Sequence, residues 1–170
     1  MLASAVTESR VPVGTARLTV SVPARVGRER AAHVLGSGRA AWLGEEVEEP
    51  SALGEGGRYL LDLELRVSDR APRVAFHKAA FLDVGPLDLP RRGAMQLPIS
   101  WRAAGLAPLF PVFAGTLRWT HGDLELDGFY APPGGGIGMV ADRLLLNVAA
   151  RGTARQLLER IAAVMRGETG

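Results

Sequence analysis

Apolar and polar positions alternate over most of the chain up to residue 130, and helical spacing takes over after it. Residues 15–22 set Ala16, Leu18, Val20 and Val22 against Thr15, Arg17, Thr19 and Ser21, which predicts a half-buried strand ended by Pro23. Residues 25–35 carry a weak helical face of Val26, Ala31, Val34 and Leu35, broken by Gly36-Ser37-Gly38. Residues 39–43 fit a further helical turn or an edge strand. The acidic run Glu45-Glu46-Val47-Glu48-Glu49 reads as a solvated loop. The cleanest strand spans 59–67, with Tyr59, Leu61, Leu63, Leu65 and Val67 on one side and Asp62, Glu64 and Arg66 on the other. Residues 73–82 form another strand, less regular, followed by a loop over 83–93. Residues 94–102 alternate again, with Met95, Leu97, Ile99 and Trp101 inward. Pro98 lies inside this run and argues for an edge strand or a bulge, because it cannot donate a ladder bond.

Two further strands, 109–120 and 123–130, flank a His121-Gly122-Asp123 turn, the signature of a hairpin. Leu124, Leu126, Gly128 and Tyr130 share one face of the second. After a Pro/Gly loop, Ile137, Val140, Ala141, Leu144, Leu145 and Val148 follow helical spacing, with the helix beginning near Gly138. Leu157, Leu158, Ile161, Val164 and Met165 continue it. Arg151-Gly152-Thr153 interrupts the stripe, and Thr153-x-x-Gln156 fits a capping box, so one bent helix or two abutting helices satisfy the pattern. The sum is an α+β domain in which a long C-terminal helix covers an antiparallel sheet. Leu63, Ile99, Leu126 and Leu158 are expected in one core. The whole chain, 1–170, is expected to form a single domain, with 1–14 a mobile N-terminal segment.

Composition removes several function classes. Of 170 residues, 47% are hydrophobic and 22% charged, ordinary globular values. The formal net charge is only +2, and Arg91-Arg92 is the only adjacent basic pair, so no nucleic-acid footprint is expected. The absence of cysteine removes disulfides, thiolate metal sites and Cys nucleophiles together. No apolar run has the length of a membrane span, and the first residues do not read as a signal peptide, so a cytoplasmic protein without stable membrane insertion is expected.

Catalytic and cofactor motifs are equally sparse. His33, His77 and His121 fall in a helix, a strand and a turn, without metal-ligand spacing, so no metal is expected. No nucleophile elbow supports a serine hydrolase. Gly134-Gly135-Gly136-Ile137-Gly138 lacks the Lys-Ser/Thr ending of a phosphate loop and reads as a hinge. Trp42, Trp101 and Trp119 fit core packing or ligand stacking. Asp142 fits the favourable end of a helix dipole or an ion pair with a strand arginine. No cofactor is expected.

The order of elements, with particular residues, resembles the helix-grip fold of the START-like superfamily, also called SRPBCC, and within it an actinobacterial group. The resemblance covers roughly residues 74–165. It is carried by Lys78, Val84-Gly85-Pro86, Leu97-Pro98-Ile99-Ser100-Trp101, Phe110-Pro111, Gly115-Thr116-Leu117, the run from Leu124 to Pro133, Gly138 and Asp142. It implies a curved antiparallel β-sheet wrapped around a long C-terminal helix, with a small hydrophobic partner molecule of lipid, polyketide or isoprenoid type held between them. A curved sheet around one helix leaves an internal cleft suited to an apolar ligand. The expected wall consists of His77 or Lys78 (neighbours on a strand face opposite ways), Trp101, Gly128, Tyr130, Leu144, Leu145, Asn147 and Val148. Gly128 leaves room before Tyr130, to be filled by a neighbour or by a ligand. The alternatives are a polyketide cyclase or dehydratase, which needs an acid/base pair in the cleft, and a ligand-free interaction domain. Inward polar candidates are few, which tilts the reading towards binding and away from an enzyme.

Overall fold

A computed structural model describes residues 15–66, 75–105, 112–131 and 140–168, with the side chains of 64–66, 75–78, 140–146 and 149 left aside. Seven strands form one antiparallel sheet: β1 (Ala16–Pro23), β2 (Glu45–Val47), β3 (Gly57–Arg66), β4 (Ala75–Val84), β5 (Met95–Ala103), β6 (Val112–Thr120) and β7 (Asp123–Ala131). Their spatial order is β1-β7-β6-β5-β4-β3-β2, so the first strand crosses over to pair with the last. A short helix α1 (Arg28–Leu35) follows β1, and a long helix α2 (Val140–Arg166) closes the chain. This is the α+β helix-grip fold: a curved antiparallel sheet wrapped around a C-terminal helix. α2 lies close to β1 and β7 on one side and to β3 on the other, so it spans the concave face between the two flanks of the sheet.

The predicted alternation is realised strand by strand. Met95, Leu97, Ile99 and Trp101 are buried on β5, as are Leu124, Leu126 and Tyr130 on β7. Leu63, Ile99, Leu126 and Leu158 belong to one core. The β6–β7 turn is His121-Gly122, and both residues have positive φ, 51° and 96°. That pair of values is the mirror-image turn whose twist matches a hairpin, and glycine makes the second position cheap.

Three expectations are corrected, and two open alternatives are decided. Glu45–Val47 is an edge strand on β3 and not a loop, and its continuation is anchored by Glu49, whose carboxylate accepts a 2.8 Å bond from Arg58. Residues 39–41 form one turn of 3-10 helix, and Asp83 and Val84 belong to β4. Pro98 sits in the middle strand of the sheet, in unbroken register with β6. The β4–β5 ladder ends at Val84 and Ile99, and the Pro98 carbonyl accepts from Gly85 N–H at 2.9 Å. N–H and C=O of one strand residue point the same way, so the missing proline donor faces the place where the ladder stops. Finally, α2 is continuous through Gly152, with Thr153 buried on its core face and no restart at a capping box. The expected mobile segment 1–14, the ends of the predicted strands at 67, 73–74 and 109–111, the Pro/Gly loop and the helix start before 140 lie outside the described residues.

On the convex face one buried ion pair stands out. Arg58 donates from Nε to Asp83 Oδ1 at 2.7 Å and from Nη2 to Oδ2 at 3.1 Å. Both residues are almost fully buried, with 8% and 2% exposure. Fork-on-carboxylate geometry satisfies both charges at once. The Phe81 ring lies beneath both Arg58 and Arg102, whose guanidinium carbons stand 5.6 and 4.9 Å from its centroid. These contacts lock β3, β4 and β5 together from outside.

Candidate functional site: the cleft between sheet and terminal helix

Register arranges the concave face into rows that cross the sheet. One row holds Ala16, Tyr130, Phe113, Trp101, Leu82 and Tyr59. Trp101 and Phe113 stack, with ring centroids 4.2 Å apart and planes 18° from parallel. On one side of this row lie Leu18, Gly128, Gly115, Ile99 and Val84. On the other, towards Ala131, lie Ala103, Ala80 and Leu61. The large aromatics are thus flanked by a glycine pair on one side and an alanine pair on the other.

The glycine side is full. A Cβ at Gly128 would meet the Ala114 carbonyl, Gly115 Cα at 2.6 Å and the tip of the Phe113 ring at 2.7 Å. The neighbour that occupies the room at Gly128 is Phe113. Trp101 and Tyr130, at 1% and 4% exposure, are packed against this layer. Trp42 is also structural: it is fully buried and its indole N–H donates to the Val34 carbonyl at 3.0 Å.

The alanine side differs. Ala103 is half-buried, although Ala80 and Leu61 in its row are buried. The helix shows the same opening. Positions 147, 151, 154, 158, 161 and 165 follow the alternating four- and three-residue steps of one helical face. From Ala154 through Leu158 and Ile161 to Met165 this stripe is buried, whereas at Arg151 it is exposed and at Asn147 half-buried. The C-terminal end of α2 is tied to the far end of the sheet. Arg30 donates to the Val164 and Met165 carbonyls at 3.0 and 3.1 Å, and Arg166 to the Pro23 carbonyl at 3.4 Å. The opening at Asn147 and Arg151 therefore belongs to the Tyr130–Ala131 end.

Polar groups at this end are distinctive. Arg151 Nε donates to Asn147 Oδ1 at 3.0 Å. Burial pushes the Tyr130 hydroxyl above its ordinary pKa, and the positive charge of Arg151 pulls it back, so the two groups sense each other. The indole N–H of Trp101 is buried without a hydrogen-bond partner. Orphaned buried donors are uncommon and call for a reason.

The other predicted wall residues fall as follows. Lys78 is in register with Leu63 and His77 with Glu64, and both side chains lie among those left aside. Leu144 and Leu145 lie in the first part of α2, among the side chains left aside. Val148 is 38% exposed, one residue off the core-facing stripe. Arg151, Phe113 and Ala103 were missed. The signal for Arg151 was its spacing, four residues after Asn147 and seven before Leu158; reading Arg151-Gly152-Thr153 as a break in the helix hid it.

Comparison with known proteins adds little. No family model matches the chain, and no curated protein does. Solved structures similar to it include two from different proteins. One is DynU16, a protein in the dynemicin biosynthetic locus, at 19% identity over 93% of this chain, with a TM-score of 0.43. This chain spans about half of that protein, 49% of its length. The other is a conserved protein from Geobacillus kaustophilus, at 16% identity over 91% of this chain and 95% of that one, with a TM-score of 0.42. The fold assignment rests on the strand order and on the placement of α2. Among the described residues no cluster of His, Asp and Glu is built to hold a metal, and no helix is long and apolar enough to cross a membrane.

Proposed function

We propose that this chain is a single START-like, SRPBCC-type domain that binds a small hydrophobic molecule of lipid, polyketide or isoprenoid type between the sheet and α2. The observation that carries the reading is the change along α2. Its core-facing side stays buried through Thr153 and Ala150, but the flank in step with Leu158 and Ala154 opens at Arg151 and Asn147, at the same end of the molecule where the concave face offers the half-buried Ala103. The aromatic row Tyr130, Phe113, Trp101 floors that end, and the unpartnered Trp101 N–H supports a ligand that carries an oxygen. Binding is favoured over ring-closing catalysis for a chemical reason. Aldol closure needs a base and an acid inside the cleft. Among the side chains described on the concave face the titratable groups are Tyr59 and Tyr130, and burial raises the pKa of both, which keeps them protonated and unable to accept a proton.

Titration with the neutral dye Nile red tests the reading. The folded protein is expected to bind it saturably with a blue-shifted emission. Ala103→Trp, which fills the alanine side, weakens binding by about tenfold or more, the effect of roughly 1.4 kcal/mol. Asn147→Trp makes the same test from the helix side. Absence of saturable binding, or equal binding by all three folded proteins, overturns the reading and leaves the domain as an interaction module.

A further inference from the structure

The opened end of the cleft has a chemical character that apolar binding alone does not explain. A helix that merely closed a hydrophobic site would carry apolar residues along its core-facing stripe. This one carries Asn147 and Arg151 at the two positions in step with Ala154 and Leu158. The Asn147–Arg151 bond uses the guanidinium Nε and fixes the head of a long side chain. Among the described residues no further hydrogen bond and no carboxylate ion pair engages Arg151, so its Nη groups can form a donor fork. The other large guanidinium near the sheet, Arg58, is already committed to Asp83 and Glu49. The facing row of the sheet carries two neutral donors: the hydroxyl of Tyr130, a residue 4% exposed, and the unpartnered Trp101 indole N–H.

Resting on the proposed function above, we propose that the ligand is an amphipathic carboxylic acid whose carboxylate is held by Arg151, positioned by Asn147, with its apolar body directed along the Trp101–Phe113 layer. A guanidinium fork matches a carboxylate in shape and charge, and the pair gains strength where water is partly excluded. The fixed positive charge of Arg151 repels an ammonium head, so the site discriminates against amines. A neutral ester or alcohol of the same chain length keeps the apolar contacts and loses the charge-assisted pair.

Displacement of Nile red by dodecanoic acid, methyl dodecanoate and dodecylamine tests this. The wild-type protein is expected to prefer the acid to the ester by about five- to tenfold, a range typical of one partly exposed charge-assisted pair. Arg151→Gln abolishes the preference, read as the ratio of acid to ester displacement within the same variant, and Arg151→Lys keeps part of it. Asn147→Ala reduces it, because the fork loses its anchor. Arg160→Gln, an exposed arginine on the opposite side of α2, leaves it unchanged. Equal displacement by acid and ester, or a preference that survives Arg151→Gln, overturns the carboxylate inference while the hydrophobic-ligand reading stands. If Nile red itself does not bind, that earlier reading fails first.

Discussion

Replacing Gly128 by alanine asks directly whether the middle of the concave face is packed or open. The added Cβ would lie 2.6 Å from Gly115 Cα and 2.7 Å from Phe113 Cζ, and against the Ala114 carbonyl. Two of these three obstacles are backbone atoms of a paired strand, so a rotamer change of Phe113 relieves only one. The strands must separate locally, and overpacking of this kind costs about 1–3 kcal/mol. For a chain of this length each kcal/mol lowers Tm by roughly 2–4 °C, so a fall of about 2–12 °C is expected. Urea unfolding followed by circular dichroism gives the free energy, and a thermal scan gives Tm. Because the backbone clashes remain, Phe113→Leu should not rescue Gly128→Ala; the two effects add or worsen. A Gly128→Ala variant within about 0.5 kcal/mol of wild type would refute the packing described here and would return the space over Gly128 to the ligand.

Other expectations follow from single contacts. Asp83→Ala strands Arg58, 8% exposed, with only the outlying Glu49 as a partner, and should cost about 3 kcal/mol in urea unfolding, the low end for a broken buried pair. Leu158→Ala, fully buried on α2, should cost about 2–5 kcal/mol; a loss below about 0.5 kcal/mol would mean that the helix face is assigned wrongly. Arg17 and Thr19 hydrogen-bond Asp127 and hold its carboxyl below the usual aspartate range. The stability this adds is complete above the unfolded value, about pH 4, and is lost as pH falls through the lower folded value. Acid unfolding of Asp127→Asn should therefore be less pH-dependent in that window, and identical acid profiles would count against the pairing.

The sheet was legible because alternation is a two-state signal. Leu97, Ile99 and Trp101 could face only one way once Gln96 and Arg102 faced the other. The hairpin at His121-Gly122 was legible from turn chemistry. Pro98 misled because the rule against central prolines concerns a missing donor, and the sequence does not tell where the neighbouring ladder ends; that depends on Gly85 meeting the Pro98 carbonyl. The Glu45–Glu49 run misled because an edge strand needs only backbone pairing, and Leu60, Tyr59 and Arg58 supply it from a distant segment. Trp101 and Tyr130 were placed on the concave face because bulky aromatics ended two inward rows. Whether a neighbour or a ligand fills the room at Gly128 was not legible, because a missing side chain says nothing about what fills its place; Phe113 does. Arg151 escaped notice because a charged residue beside glycine looks like a helix break until its phase with Leu158 is known.

Methyl-resolved NMR of the alanine, leucine and valine positions, titrated with Nile red, tests the central claim most directly. Binding between sheet and α2 predicts concentration-dependent shifts at Ala103, Ala80 and Leu61, with the convex-face methyls of Leu60 and Val112 unmoved. Shifts confined to Leu60 and Val112, which are 37% and 49% exposed on that outer surface, would contradict the claim and make the convex face the binding surface of this fold.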